Sequence, residues 1–359
     1  MSERTPPVTM KVVAERVGVS IATVSNAFSR PDQLSAQLRA DILTAADALG
    51  YAGPNATGRA LRSGRTDVCG ILYEGELANT FLDPYSVLFL AGLSESVEAA
   101  GASVLLMKWL PDDDSRGALR RAAIDALVAP SASAAGADLD PLRRRGVRVV
   151  GTQQAPTGDW VGVDNVESGR LVGRHLAHLG HRDVAVIAPT GTGEIADVGY
   201  RPDAPTAGVL ATSYQADRLR GLWQTLPGGS LRVVTCATNT REAGRDAAAR
   251  VLDVRERPTA VVALSDVLAL GVTDACQVRG LALGHEVSVT GFDDIPDAAF
   301  TGLTTVRQPI REKGRLAGLL AMNPDHQPRQ ITLPIELVVR SSTGPAGRPA
   351  DHQHRTETE

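Results

Sequence analysis

The 359-residue sequence predicts a small all-helical head followed by a larger α/β core whose parallel sheets form two lobes. Two observations predict this fold class. Apolar residues recur at helical spacing through the first 50 residues, whereas short apolar strands alternate with amphipathic helices from Asp67 onward. The alternating part spans about 270 residues, too many for one such sheet, so two similar lobes are expected.

Residues 9–29 predict two short helices joined by a tight turn at Gly18. Ser20 is expected to cap the second helix, because its hydroxyl can accept from backbone amides two or three residues further on. The apolar positions with helical spacing are Val12, Val13, Val19, Val24 and Phe28. The other face of the second helix is short and polar, which suits insertion into a DNA major groove. A helical hairpin in a protein core is the alternative for this segment taken alone.

A third helix is predicted over residues 36–49, capped by Ser35 and ended by Gly50. Three helices in so short a span complete a small domain, which we assign to residues 1–53. The following segment, 54–66, is too polar to fold alone but contains one large apolar residue, Leu61. It therefore reads as a linker that becomes helical only when a partner holds it.

The core, assigned to residues 67–343, alternates strands and helices and predicts parallel sheets with helices on both faces. The predicted strands are 68–73, 103–107, 126–129, 147–151, 184–188, 231–235, 260–264 and 287–291. The predicted helices are 87–100, 115–123, 166–179, 214–226, 241–252 and 269–278. Ligands of such folds bind at the carboxyl ends of the strands, here in the cleft between the lobes. The tail, 344–359, is rich in glycine, proline and charge and is predicted to be disordered.

Charge is distributed unevenly along the chain. The net charge is −4, but residues 1–66 hold eight Lys/Arg against five Asp/Glu, so the head and linker carry +3 and the rest carries −7. A small basic head on an acidic body is typical of a DNA-binding module attached to another domain.

The three cysteines, Cys69, Cys236 and Cys276, are far apart in apolar surroundings and form no Cys-x-x-Cys pair. They predict buried thiols rather than a metal site or a disulfide framework. Residues 1–7 are polar and no apolar run reaches the ~18 residues that span a bilayer, so a cytoplasmic location is expected.

Seven motifs carry a resemblance to a known family. They are VAERVGVSIATVS at 13–25, PNA at 54–56, VGVDN at 161–165, LGHR at 179–182, RLRG at 218–221, VTGFDDIP at 289–296 and LTTVRQP at 303–309. In this order and spacing the chain resembles the LacI/GalR family of transcriptional regulators over residues 9–343. The resemblance implies a periplasmic-binding-protein-like (type I) core that dimerises, binds a small effector in its cleft and thereby changes the affinity for a palindromic operator.

The resemblance also implies residues that contact DNA. The base-reading positions fall on Ile21, Ala22 and Asn26. Asn26, where the family usually has arginine, could pair with adenine, and an operator that departs from the common consensus is therefore expected. Around these positions the phosphate-binding or hinge candidates are Ser20, Thr23, Ser25, Asn55, Gly58 and Leu61. The resemblance implies that Leu61 enters the minor groove from a hinge helix, and Gly58, where the family prefers alanine, lowers the tendency of that helix to form.

In the cleft, the family's ligand-binding arginine falls on Arg218 and its acidic partner on Asp293. Ser265 stands where an asparagine is usual, directly before Asp266. The segment 74–84 is longer than the usual family loop and is expected to bring Phe81 and Tyr85 to the cleft. Trp160 and Phe300 could stack on a ligand ring or simply pack in the fold. A sugar is the family's default effector, and no cofactor is expected.

Two other functional classes of protein would share parts of this sequence pattern. A solute-binding protein serving a transporter would share the core but would need a signal peptide and no DNA-binding head. An enzyme with a DNA-binding head would need a catalytic set, and no convincing paired carboxylates, Ser/His/Asp or Cys/His arrangement is visible in the sequence. A DNA-binding regulator, most simply a repressor, remains the leading prediction.

Overall fold

The computed structural model describes residues 8–53, 64–74, 76–109, 113–129, 139–190, 197–200, 213–226, 228–323 and 329–347. The chain divides into two compact units, 1–66 and 67–359. Within the described ranges, every helix is too short or too polar to span a lipid bilayer.

The first unit contains the predicted helices. They are α1 (Met10–Val17), α2 (Ile21–Ser29) and α3 (Ala36–Leu49), with a 3-10 turn at Pro31–Gln33 between α2 and α3. Gly18 ends α1 in the left-handed conformation at φ 74°. The Ser20 hydroxyl accepts a hydrogen bond from the Thr23 amide at 3.0 Å and caps α2. The predicted helix–turn–helix geometry is confirmed.

The core of this unit forms where the three helices meet. Val13, Val24 and Ile42 are fully buried there. Phe28 closes one side of the core by packing edge-on against Tyr51, with ring centroids 5.9 Å apart. The expectation that Val12 belongs to the apolar face is wrong, since its side chain is 41% exposed. One residue of helix turns a side chain by about 100°, which carries Val12 away from the face that Val13 buries.

Lobe 1 of the second unit is built on a six-stranded parallel sheet of order β2-β1-β3-β4-β5-β12. Its strands are β1 (Val68–Glu74), β2 (Ser103–Trp109), β3 (Ala126–Ala129), β4 (Arg148–Gly151), β5 (Asp159–Val163) and β12 (Gln330–Leu333). Its helices are α4 (Leu77–Leu82), α5 (Pro84–Ala99), α6 (Asp113–Arg121), α7 (Asp140–Arg144) and α13 (Ile310–Met322).

Lobe 2 is built on a seven-stranded sheet of order β7-β8-β6-β9-β10-β11-β13, parallel except for the two edge strands. Its strands are β6 (Asp183–Pro189), β7 (Asp197–Gly199), β8 (Ser230–Cys236), β9 (Ala260–Ala263), β10 (Ser288–Asp293), β11 (Thr304–Arg307) and β13 (Glu336–Val338). Its helices are α8 (Asn165–His178), α9 (Ser213–Thr225), α10 (Arg241–Leu252), α11 (Asp266–Val278) and α12 (Pro296–Phe300).

The described chain crosses between the lobes at three places. It leaves lobe 1 between β5 and α8, returns between β11 and α13, and leaves again between β12 and β13. We call these three segments, each with the residue that follows it, the crossing segments. The first brings Asn165, and the second Gln308, to the boundary between the lobes.

All eight predicted core strands are confirmed to within two residues at each end. The structure adds β5, β7, β11, β12 and β13, and it corrects the expected loop over 74–84, where residues 77–82 form α4. The three thiols are buried, as predicted. Residues 344–347, at the start of the predicted tail, are bonded to the core: the Gly344 amide donates to Ser288 Oγ and the Ala346 amide to the Leu179 carbonyl.

Candidate functional site

Arg218 lies on α9 at the boundary between the lobes and is only 6% exposed. Its Nε donates to Asn165 Oδ1 at 3.1 Å and its Nη1 to the Leu264 carbonyl at 2.8 Å. The guanidinium lies 4.4 Å from the ring centroid of Phe292 and 4.9 Å from that of Tyr214. The planar cation is thus fixed by two neutral acceptors and two aromatic rings.

The close packing of α8 against α9 sets this position. A Cβ on Gly169 would lie 2.0 Å from the Arg218 carbonyl oxygen, and one on Gly221 would lie 1.9 Å from the Val166 carbonyl oxygen. Any larger residue would force the two helices apart. The glycines therefore allow Arg218 to reach Asn165 on the neighbouring helix.

Asp293 ends β10 in a strained conformation. Its φ is 127° and that of Asp294 is 56°, values that favour glycine. Gln308 Nε2 donates to Asp293 Oδ1 at 2.6 Å, and Arg340 Nη2 donates to Asp294 Oδ1 at 2.6 Å. Several side chains therefore hold the turn in its strained form, which points the Asp293 carboxyl group toward the lobe boundary.

Asp266 has both carboxyl oxygens occupied by the protein. Oδ2 accepts from the Ile295 amide at 2.9 Å and Oδ1 from Thr305 Oγ1 at 2.5 Å. Ser265 donates to Asn239 Oδ1 at 2.6 Å and caps α11 by accepting from the Leu268 amide at 3.3 Å. Asp266 is thus bonded to the segment that follows Asp293, and Ser265 caps the helix that Asp266 begins.

Burial governs the titration of both carboxyl groups. It raises the pKa of Asp266 to about 6. Burial, and then the nearby Asp266 carboxylate, raises the pKa of Asp293 well above its usual value. A protonated Asp293 can donate a hydrogen bond as well as accept one.

Lys313 reaches the same region from α13 in lobe 1 and is only 1% exposed. Its Nζ donates to the Tyr85 hydroxyl at 3.1 Å. Burial, and then the charge of Arg218, lowers the pKa of Lys313 to about 7. Burial, and then the charge of Asp293, raises the pKa of Tyr85. These mutual effects place the four groups within electrostatic range of one another.

We call this group the interlobe cluster. It combines four ionisable side chains from both lobes with two amides from the crossing segments: Tyr85, Arg218, Asp293, Lys313, Asn165 and Gln308. Buried cations, carboxyl, hydroxyl and amide groups together can bind a small polar ligand from several sides.

The other predicted aromatic residues lie apart from the cluster. Phe81 is 58% exposed on α4. Trp160 is the second residue of β5, and its indole N–H donates to the Ala155 carbonyl at 2.9 Å. Phe300 is the last residue of α12 and is 89% exposed. Tyr85, by contrast, lies within electrostatic range of Arg218 and Asp293.

The sequence reasoning missed Asn165, Gln308 and Lys313. The first two stand in family motifs, VGVDN at 161–165 and LTTVRQP at 303–309, and those motifs were the signal available for them. Lys313 offered no such signal, because it sits in the charged run Arg311–Arg315 and reads as a solvated helix face.

A second candidate site is the surface of α2. Ile21 is 47% exposed, Ala22 is exposed, and Thr23, Ser25 and Asn26 are half-buried. Asn26 Nδ2 donates to Gln33 Oε1 at 3.3 Å, which holds the amide in place and leaves its oxygen as an acceptor. The Ser20 and Thr23 hydroxyls are 2.8 Å apart at the start of the helix. This short polar surface can approach the edges of base pairs. The predicted hinge residues Asn55, Gly58 and Leu61 lie outside the described residues.

The comparisons with known proteins match both parts of the chain. Residues 9–55 match the family model for bacterial regulatory proteins of the lacI family, and residues 174–343 match the periplasmic binding protein-like domain. An HTH-type transcriptional regulator of Mycolicibacterium smegmatis is 34% identical over 353 residues, covering 94% of this chain and 96% of the relative.

Two solved structures share the fold. The lac repressor dimer bound to operator and the anti-inducer ONPF is 23% identical, with a TM-score of 0.71, covering 94% of this chain and 99% of that one. The complex of the transcriptional regulator CelR with cellobiose is 22% identical, with a TM-score of 0.61, covering 93% and 99%. With the helix–turn–helix, the two-lobed core and the sequence relationship in place, the chain belongs to the LacI family of DNA-binding transcriptional regulators.

Proposed function

We propose that this regulator is a repressor whose operator affinity is set by a sugar-like effector bound at the interlobe cluster. The observation that carries the proposal is the placement of Arg218 and Asp293, both buried, against Asn165 and Gln308 on the crossing segments. A ligand held by these side chains contacts the crossing segments between the lobes. Its affinity then differs between the arrangements of the two lobes, and this difference is what allows an effector to shift the equilibrium between them.

On the effector side, Arg218 and Asp293 bind the ligand directly. Asp266 supports the Asp293 turn through the Ile295 amide, and Ser265 caps the helix that Asp266 begins. Tyr85 closes the site from lobe 1. Phe81 belongs to the adjacent α4 and would contact only a ligand that extends beyond the cluster. The bound cellobiose of CelR supports a sugar as the ligand class.

On the DNA side, α2 is the recognition helix. Ile21 and Ala22 make apolar contacts with bases, and Asn26 pairs with adenine. Ser20, Thr23 and Ser25 hold phosphates, and hinge residues Asn55, Gly58 and Leu61 contact the minor groove. The division is therefore a head over 1–53, a hinge over 54–66 and an effector-binding core from 67.

The active form is a homodimer, which places two recognition helices on the two halves of a palindromic operator. The operator-bound lac repressor dimer supports this arrangement. A regulator of this kind acts where the chromosome is, which in a bacterium is the cytoplasm. Its action requires binding and release of the effector rather than turnover.

The test begins with selection of binding sites by the full-length protein from random double-stranded DNA. We expect an enriched palindrome. Gel-shift titrations of that site with ribose, cellobiose, glucose and myo-inositol then identify a sugar that changes the apparent affinity by about 5- to 150-fold. Failure to enrich any sequence would overturn the DNA-binding proposal. Sugars that bind without changing DNA affinity would overturn the effector proposal.

The hinge is tested by Leu61→Ala. This variant should weaken binding to the selected operator while its melting temperature stays that of the wild type, because the Leu61 side chain acts by inserting into the minor groove of DNA. Unchanged operator affinity would remove Leu61 from the proposed DNA contacts.

A further inference from the structure

Lys313 is a buried cation with too few partners. Its ammonium group carries three donors, yet among the described residues the Tyr85 hydroxyl is its single hydrogen-bond partner. Among the described residues, no carboxylate oxygen lies within 4.0 Å of this ammonium group. Burying a charged group without a counter-charge is costly, so this arrangement needs a reason.

The way α13 packs on α5 fixes Lys313 in this position. A Cβ on Gly92 would lie 1.9 Å from the Arg311 carbonyl oxygen, and one on Gly314 would lie 2.0 Å from the Phe89 carbonyl oxygen. The two helices are therefore as close as their backbones permit. Lys313 and Tyr85 face each other across this contact, and the side chain of Lys313 is only 1% exposed.

Arg218 is the second cation of the interlobe cluster, and it too has more hydrogen-bond donors than described acceptors. Its described hydrogen bonds go to neutral acceptors, the Asn165 amide and the Leu264 carbonyl. Of its five N–H donors, three have no described acceptor. Arg218 and Lys313 are thus close enough for the charge of Arg218 to lower the pKa of Lys313. Neither side chain has a carboxylate of the described residues in contact with it.

Two acceptor oxygens lack donors, one on Gln308 in the cluster and one on Asp83, whose charge acts on the Asp293 carboxyl group. Gln308 Oε1 and Asp83 Oδ1 are buried without a described hydrogen-bond partner. Asp83 uses its other oxygen to accept from the amide and hydroxyl of Ser86. Asp293 is the carboxyl group of the cluster, but burial and the Asp266 charge raise its pKa well above the usual value, which favours its neutral form. The cluster can therefore accept negative charge beside its cations and hydrogen-bond donors beside its oxygens.

We propose that the effector is a hydroxylated organic anion, a sugar acid or sugar phosphate, whose acidic group lies between Lys313 and Arg218. Its hydroxyl groups donate to Gln308 and Asp83. Charge-assisted hydrogen bonds from both cations supply the affinity, and the planar arginine gives the orientation. This assignment rests on the proposed effector function and narrows the ligand class that the interlobe cluster binds.

The test uses matched pairs of ligands on the full-length protein. Calorimetric titrations compare glucose with glucuronate and glucose 6-phosphate, and myo-inositol with an inositol monophosphate. We expect at least one acid to bind about tenfold or more tightly than its neutral partner. The carboxylate and phosphate arms distinguish the two sources of negative charge. If every neutral partner binds as tightly, or if no acid binds at millimolar concentration, the assignment is overturned.

Lys313→Met removes the charge and keeps an unbranched side chain of similar length. It should abolish the preference for the acid. Lys108→Met is the matched control, because Lys108 lies on β2 at the surface, paired with Glu76, and its replacement should leave the preference unchanged. A Lys313→Met variant that folds, as judged by cooperative melting, and still prefers the acid would overturn the assignment.

Proton uptake gives an independent readout. Because Lys313 has a lowered pKa, an anion that binds beside it should draw a proton from the buffer. Titrations at pH 8 in Tris and in HEPES should therefore give different apparent enthalpies, and the difference should vanish in Lys313→Met. Equal enthalpies in both buffers would contradict the assignment.

The failure of this assignment and the failure of the effector function give different results. If only neutral sugars bind and change operator affinity, the anion assignment is wrong and the effector function stands. An acid that binds tightly without changing operator affinity would instead leave the anion site standing.

Discussion

The carbonyl oxygen of Arg218 lies so close to the Cα of Gly169 that a methyl group there would come within 2.0 Å of it. This contact joins helix packing to the ligand site, because the side chain of the same Arg218 reaches Asn165 at the start of the helix that contains Gly169. The separation of two helices therefore determines where the guanidinium lies.

Gly169→Ala should move α9 away from α8 and take Arg218 out of reach of Asn165. We expect the free energy of unfolding to fall by about 1–3 kcal/mol, as for other overpacked interiors. Urea denaturation measures this. Gly199→Ala is the control, since a Cβ there meets no atom within 4 Å and should change stability little. Equal stability of the two variants would contradict the close-contact interpretation.

Arg218→Met should eliminate the response of operator binding to the effector while the chain still folds. The guanidinium contacts with Asn165 and Leu264 are lost, and the ligand loses its buried cation. The comparison variant is Arg220→Met, because Arg220 lies on the same helix but pairs with Asp217 at the surface. Gel shifts with and without effector provide the measurement, and a normal response by Arg218→Met would count against the site.

Asn26→Ala should change which base is read at one position in each operator half-site. Loss of a paired contact with adenine removes ~1–3 kcal/mol of discrimination at that position and little at the others. Binding to a set of single-base operator variants measures this profile. Ser25→Ala should instead weaken all sequences alike, because a phosphate contact carries no base information. A uniform loss for Asn26→Ala would assign that residue to the backbone.

Lys313→Met should stabilise the ligand-free protein by about 1–4 kcal/mol at pH 6, where the wild type must bury a charged ammonium. The pKa of Lys313 is lowered to about 7 in the folded chain, against roughly 10.4 when unfolded, so the folded state binds fewer protons between these values. Wild-type stability relative to the variant therefore rises with pH across that window.

Urea titrations of both proteins from pH 6 to pH 10 measure the difference. The gap should narrow from about pH 7 upward and be small at pH 10, because the amine is then neutral in the folded state and partly deprotonated in the unfolded state. The groups that face Lys313 are Tyr85 on α5, Arg218 on α9 and Asp293 on β10. All three remain in the variant, so subtraction isolates the lysine. A gap that stays constant across the range would show that its protonation is not linked to folding.

Much of the fold could be predicted because local patterns and topology agree in it. The helices of the head carry their own caps, Ser20 and Ser35, and the buried strands are continuous apolar runs. The missed strands are short and lie beside the crossing segments or at a sheet edge, where sequence periodicity has too few residues to develop.

The candidate site could be proposed from the sequence only in part. Arg218 and Asp293 stand in the family motifs RLRG at 218–221 and VTGFDDIP at 289–296, which made them candidates. Asp266 reads as a ligand contact in the sequence, yet in the structure Thr305 and the Ile295 amide occupy its oxygens. Lys313 becomes visible only when α13 is seen to pack on α5, a contact between residues more than 200 positions apart.

Asn165 and Gln308 stand on two of the crossing segments, so they lie near the hinge about which one lobe can rotate relative to the other. Atoms near a hinge are displaced little by such a rotation, but the bonds there turn through the same angle as bonds at the outer ends of the lobes. A ligand that fixes the orientation of these two amides therefore fixes the angle between the lobes, and a small rotation at the cluster becomes a larger displacement at the outer ends of the lobes. For the same reason, a small error in the position of either amide would change the position of a whole lobe.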